Sequence, residues 1–280
     1  MTHRGILEKL DDIETAEGTL PPLLEFYRKL VQIQTRVGQE LDTPNPGLTS
    51  EMINQRAEQG KPLLESGDLI IDPSLLSDTF REVATLFAEY SDLLNHTRQE
   101  LKELPDVLLN QDSVNVWYEG MPLPDTKGLD EALLGELIHA TVKPFLISYS
   151  KTLLDSVDQE HWRRGYCPIC GGNPDFAYLD TERGARWLVC SRCDAEWLFQ
   201  RLECPYCNST NQNELSYYAD DEGPYRLYVY DRCERYLKAI DLRKAEPGVL
   251  IPLERLLTLE IDAQGREYGY LPCGSVRNGP

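Results

Sequence analysis

No stretch of this 280-residue sequence stays apolar over the roughly 18 positions that a membrane-spanning helix needs, so no membrane insertion is expected. The segment Met1–Asp12 lacks the apolar centre of a secretory leader, which predicts a cytoplasmic chain. Basic residues are scarce: 28 Lys and Arg stand against 47 Asp and Glu, a net charge of −19. Residues 1–160 carry most of that surplus, −16, while residues 161–245 are close to neutral at −1. A nucleic-acid partner would need a basic stripe, and none is present. Histidine is rare, and His3, His96, His139 and His161 lie far apart in sequence. The phosphate-cradling Gly-Lys-Ser/Thr loop, the Gly-x-Ser-x-Gly turn and the Gly-x-Gly-x-x-Gly turn are all missing. With no such signature, the chain is expected not to be an enzyme.

Cysteine, by contrast, is concentrated. Seven of the eight cysteines lie between Cys167 and Cys233. They form the steps Cys167-Pro-Ile-Cys170, Cys190-Ser-Arg-Cys193 and Cys204-Pro-Tyr-Cys207, then a fourth, Tyr230-Asp-Arg-Cys233, whose first thiol is replaced. Two residues between thiols let one tight turn aim both sulfurs at one ion, and two such turns make a tetrahedral site for zinc or for iron of the rubredoxin kind. In a reducing compartment such thiols are ligands rather than disulfides. A lone Cys-x-x-Cys reads as a redox motif beside a βαβ pattern; here three stand in tandem and no βαβ pattern accompanies them. Gly171 and Asn208 follow the second cysteines of two turns and suit a left-handed backbone there.

The spacing reads as a loose tandem repeat. It pairs Cys167, Cys170, Cys190 and Cys193 as one closed site, and leaves Cys204, Cys207 and Cys233 as a second, incomplete one. Interleaved pairing of the four turns is the alternative. The missing ligand of the second site could come from Asp231, Cys273, water or a partner; otherwise the site is degenerate and held by packing.

Around this region the texture is twofold. Residues 1–160 read as a helical domain. Thr19 is placed to cap a helix through Leu41, Ser50–Gln59 has a turn or two, Asp72-Pro73 starts a segment reaching about Leu104, Val107–Glu119 is short, and the apolar face from Leu129 to Leu153 is broken by Pro144. Strand patterns follow at Phe176–Leu179, Arg186–Cys190, Glu196–Leu202, Leu215–Tyr218, Arg226–Tyr230 and Tyr236–Ile240. They are expected to form two short metal-pinned sheets, one in a module over 161–203 and one over 204–280, giving an α+β chain. In the tail, Val249–Glu260 reads as helix and Tyr268–Leu271 as strand.

The stretches Trp162–Pro174, Gly184–Cys207 and Cys233-Glu-Arg-Tyr-Leu-Lys238 resemble one family, the formate dehydrogenase accessory protein FdhE. The resemblance covers roughly residues 162–240. It implies an N-terminal helical bundle followed by two rubredoxin-like modules able to hold iron. It also implies a cytoplasmic factor that binds the catalytic subunit of respiratory formate dehydrogenase during maturation. The family's fourth turn carries two cysteines, so Tyr230 puts the second metal in question. Two other readings stand beside this one: a rubredoxin-like electron carrier and a zinc-ribbon nucleic-acid-binding protein. Trp187 and Trp197 are candidate partner-contact residues, or else they cover the small sheets.

Overall fold

The computed structural model describes residues 3–94, 101, 109–123, 130–219 and 223–273. The chain divides into two compact units, one of Met1–Leu48 with Leu64–Thr152 and one of Thr49–Leu63 with Leu153–Pro280.

The first unit is helical: α1 His3–Glu17, α2 Pro22–Glu40, α4 Pro73–Glu89, α5 Gln111–Tyr118 and α6 Glu131–Leu153. α4 starts where the sequence places it, with the Asp72 carboxylate accepting from the Leu75 N–H at 2.8 Å and Pro73 in the first turn. α2 starts later than expected: Pro21, not Thr19, occupies the cap position. A proline there has no side-chain acceptor, so its preset φ starts the helix instead. α4 stops at Glu89 and Leu101 is again helical; residues 95–100 and 102–108, with His96, lie outside the described residues. So do Val107 and the expected starting residue Leu129.

Phe26 anchors this core with edge-on contacts to Phe87 at 5.2 Å and Tyr90 at 5.6 Å. Pro144 inside α6 has no N–H to give the Ala140 carbonyl; the buried Gln34 amide of α2 supplies the bond at 2.8 Å.

The second unit takes α3 Ser50–Glu58, a short α7 Gln159–Trp162, six strands, and α8 Ile251–Leu257 with α9 Leu259–Glu267. The strands are β1 Pro174–Leu179, β2 Arg186–Cys190, β3 Glu196–Phe199, β4 Leu215–Ala219, β5 Tyr225–Tyr230 and β6 Arg235–Asp241. The two short sheets expected from the sequence are in fact one, in the order β3-β2-β1-β6-β5-β4. Each half is antiparallel, and a parallel β1–β6 ladder from Phe176↔Lys238 to Leu179↔Asp241 joins them. Two separate three-stranded sheets would leave the edges of β1 and β6 unpaired; joining them satisfies those edges. The tail makes two helices, not one, and of the expected strand Tyr268–Leu271 only a bridge between Leu271 and Arg235 forms.

The loop after α3 packs on the first cysteine turn. Leu63 N–H donates to Pro168 O at 2.8 Å, and the Tyr166 hydroxyl donates to Gly60 O at 2.6 Å.

Candidate metal centre

Each cysteine turn follows the same backbone plan. The residue after its second cysteine is left-handed: Gly171 at φ 69°, Asp194 at 54°, Asn208 at 56° and Glu234 at 52°. Gly171 and Asn208 are the two the sequence singles out; Asp194 and Glu234 do the same without glycine. That left-handed turn points amides inward. The N–H groups of Ile169, Arg192 and Tyr206 each lie 3.4 Å from the sulfur of Cys167, Cys190 and Cys204 respectively. Such bonds spread thiolate charge and orient the sulfurs.

Cys167, Cys170, Cys190 and Cys193 are brought together, all buried, with their sulfurs within 4.8 Å of one another. Neighbouring sulfurs lie 3.4 Å apart for Cys170–Cys190 and 3.5 Å for Cys167–Cys193 and Cys170–Cys193. Those are not disulfide distances, which are about 2.05 Å. A tetrahedron with metal–sulfur bonds of about 2.3 Å has edges of about 3.8 Å, so the set needs only slight expansion to hold zinc or iron. The protonation pattern points the same way. Burial pushes the Cys167 and Cys193 thiols up, while hydrogen bonds from its three neighbours pull Cys170 down. Four sulfurs this close cannot all shed their protons unless a cation compensates them.

The second group is Cys204, Cys207 and Cys233, again within 4.8 Å. Cys204 and Cys233 are 3.6 Å apart. Their mutual hydrogen bond raises Cys204 and brings Cys233 down to about 6. Neither Asp231 nor Cys273 joins this group among the described residues. The Asp231 carboxylate instead accepts from the Tyr270 hydroxyl at 2.6 Å, and burial pushes the Cys273 thiol up to about 12.

Tyr230 keeps the turn but not the ligand. Its ring is buried and meets Tyr206 edge-on at 5.9 Å. Its hydroxyl accepts a bond of 3.2 Å from the Arg186 guanidinium, and burial holds it protonated.

Other expected residues are placed away from the sulfurs. Trp197 is fully buried and donates to Arg164 O at 2.8 Å, so it supports the sheet rather than facing a partner. Trp187 is half-buried and stacks on Tyr178 at 6.1 Å. His161 is exposed and bonded to Asp158, and His139 stacks on Trp117 at 5.9 Å. One support escaped sequence reasoning. Arg255 of α8 reaches back to Asp175 and Asp194 at 2.5 Å each, and so braces the turn after Cys193.

The family model described as the FdhE central domain matches residues 166–201, the span of the first sulfur group. The chain is 25% identical over 254 residues to a protein FdhE homolog of Aquifex aeolicus, covering 89% of this chain and 85% of that one. It is 25% identical over 229 residues to protein FdhE of Escherichia coli O1:K1, covering 78% and 69%.

The chain is similar to FdhE proteins over most of its length. The crystal structure of the FdhE protein from Pseudomonas aeruginosa matches its fold with a TM-score of 0.60 at 21% identity, over 96% of this chain and 92% of that one. Among the described residues, no helix is long and apolar enough to cross a membrane. The second sulfur group of this chain has three members, with the Tyr230 carbonyl 3.8 Å from the Cys233 sulfur.

Proposed function

We propose that this chain is a cytoplasmic accessory factor, not an enzyme, in the maturation of respiratory formate dehydrogenase, and that it binds the catalytic subunit of that enzyme. Cys167, Cys170, Cys190 and Cys193 hold one iron or zinc ion. Cys204, Cys207 and Cys233 form an incomplete second site. The observation that carries this reading is the closed, buried four-sulfur group inside a family-specific stretch. Four protein sulfurs leave a bound ion no open position for a substrate, which suits a structural or one-electron role. When bound, the ion supplies cross-linking energy to a sheet otherwise held by short strands.

The test is a pull-down of the purified formate dehydrogenase catalytic subunit, alongside metal content measured on anaerobically purified protein. Wild type should retain the subunit and about one tightly held ion per chain, consistent with one closed four-sulfur site. Cys190→Ser should release the first-site ion. Failure of the wild type to retain the subunit would remove the maturation reading. A fast, reversible iron couple without subunit binding would favour an electron carrier instead.

A further inference from the structure

Beside β2 and β3 lies a cavity of about 510 Å³ whose walls include Arg163, Arg186 and Arg201, with Phe199 and Leu202 as its apolar part. Among the described residues, no acidic one lines it. That is unexpected in a chain of net charge −19. Arg186 is 1% exposed and has no carboxylate partner among the described residues. Its guanidinium packs over the Phe199 ring at 5.1 Å and the Tyr228 ring at 5.7 Å. It donates to Tyr230 Oη and to the carbonyls of Gln200 and Glu203. Its Nε–H is buried and has no hydrogen-bond acceptor. All its hydrogen-bond acceptors are neutral, and the Glu203 carboxylate acts on it only through space, so an incoming anion adds to the compensation of this buried cation.

The rim supplies the rest. Arg201 is exposed and makes no ion pair among the described residues. Arg163 is partly used by Glu160 at 2.5 Å. Leu202 is 61% exposed at the lip. Guanidinium groups bind carboxylates as a two-pronged fork, and an exposed leucine beside them suits an apolar neighbour of that carboxylate.

We infer that this cavity is a docking pocket for a partner-protein segment that carries an aspartate or glutamate next to an apolar side chain. Arg201 makes first contact with the carboxylate, Arg186 provides a fixed positive floor, and Leu202 covers the apolar neighbour. Charge complementarity selects an acidic segment here although the rest of the chain repels one.

Using the formate dehydrogenase catalytic subunit as the partner rests on the function proposed above, so the experiment separates the two. Affinity for that subunit is measured for wild type, Arg201→Glu, Arg201→Lys and Leu202→Asp, with metal content and melting temperature as folding controls. Arg201 is exposed, so its variants should fold. Arg201→Glu should lose about tenfold or more in affinity, most steeply at low salt, and Arg201→Lys should lose less than that, because the ammonium keeps the charge but not the two-pronged fork. Wild-type affinity in Arg201→Glu would overturn the pocket and leave the proposed function standing.

If the wild type itself fails to bind the subunit, the proposed function falls. The pocket is then judged with acetyl-Glu-Leu-amide against acetyl-Gln-Leu-amide, read by the Nε–Hε resonances of Arg186 and Arg201. Shifts with the glutamate peptide alone support it; no shift with either peptide, or equal shifts with both, overturns it.

Discussion

Tyr230 stands at the turn position that Cys167, Cys190 and Cys204 fill in the other three knuckles. A phenol is several ångströms longer than a thiol, so its oxygen passes the sulfurs and reaches Arg186. The substitution therefore exchanges a ligand for a strut between β5 and β2. Tyr230→Phe should cost about 1–3 kcal/mol in denaturant unfolding, because it leaves an Arg186 donor buried without its acceptor. Tyr230→Cys should instead raise metal content, with a second ion per chain surviving a chelator challenge. The left-handed Glu234 already preshapes that turn. An unchanged metal count would show that the turn no longer gathers four sulfurs.

Among the elements, β6 carries two buried charges that the strand pattern alone does not explain. Lys238 donates to the carbonyls of Arg255 and Thr258 and to the Asp262 carboxylate at 2.5 Å, tying the sheet to the two C-terminal helices. Asp241, at the strand end, takes Arg243 Nε at 2.8 Å and Arg226 at 2.5 Å. The Arg243 hydrogen bonds come first in holding its carboxyl below the usual range. Because the folded value is depressed, this contribution is complete above the unfolded value of about 3.9 and disappears as pH falls through the folded one. Asp241→Asn should cost about 2 kcal/mol at neutral pH and flatten the loss of stability below about pH 4. An acid limb identical to wild type in urea titrations would count against it.

Gly165 shows how closely the first knuckle approaches the third. A Cβ there would sit 2.0 Å from Pro205 O, a backbone atom that cannot swing aside. Gly165→Ala should destabilise by about 3 kcal/mol, seen as a lower denaturation midpoint.

For the molecule as a whole, the single sheet makes the two sulfur groups parts of one cooperative structure. Removing metal with a chelator and a reductant should loosen the unit that holds both groups. Trp162, Trp187 and Trp197 all lie in that unit, and Trp197 is fully buried, so its fluorescence should shift to longer wavelength as metal leaves. An unshifted spectrum at full metal loss would mean that packing alone holds the sheet.

Much of this was readable from local pattern. The cysteine spacing, the start at Asp72, the short helix near Ser50–Gln59 and the strand Arg186–Cys190 depend on residues near one another in sequence, where turn sterics and alternation act directly. The bounds of β3 and of the tail helices were less legible, since those ends are set by what packs on them.

The sequence alone settled where the cysteines cluster, where the turns fall and that a helical part precedes a strand-rich part, because these follow from spacing and short-range stereochemistry. Only the tertiary structure decided that β1 pairs in parallel with β6, that Thr49–Leu63 packs on the first knuckle, and that Arg186 lies buried against Tyr230. Each of these joins residues tens of positions apart. The free energy there comes from burying surface and satisfying polar groups across the fold, which no local periodicity records.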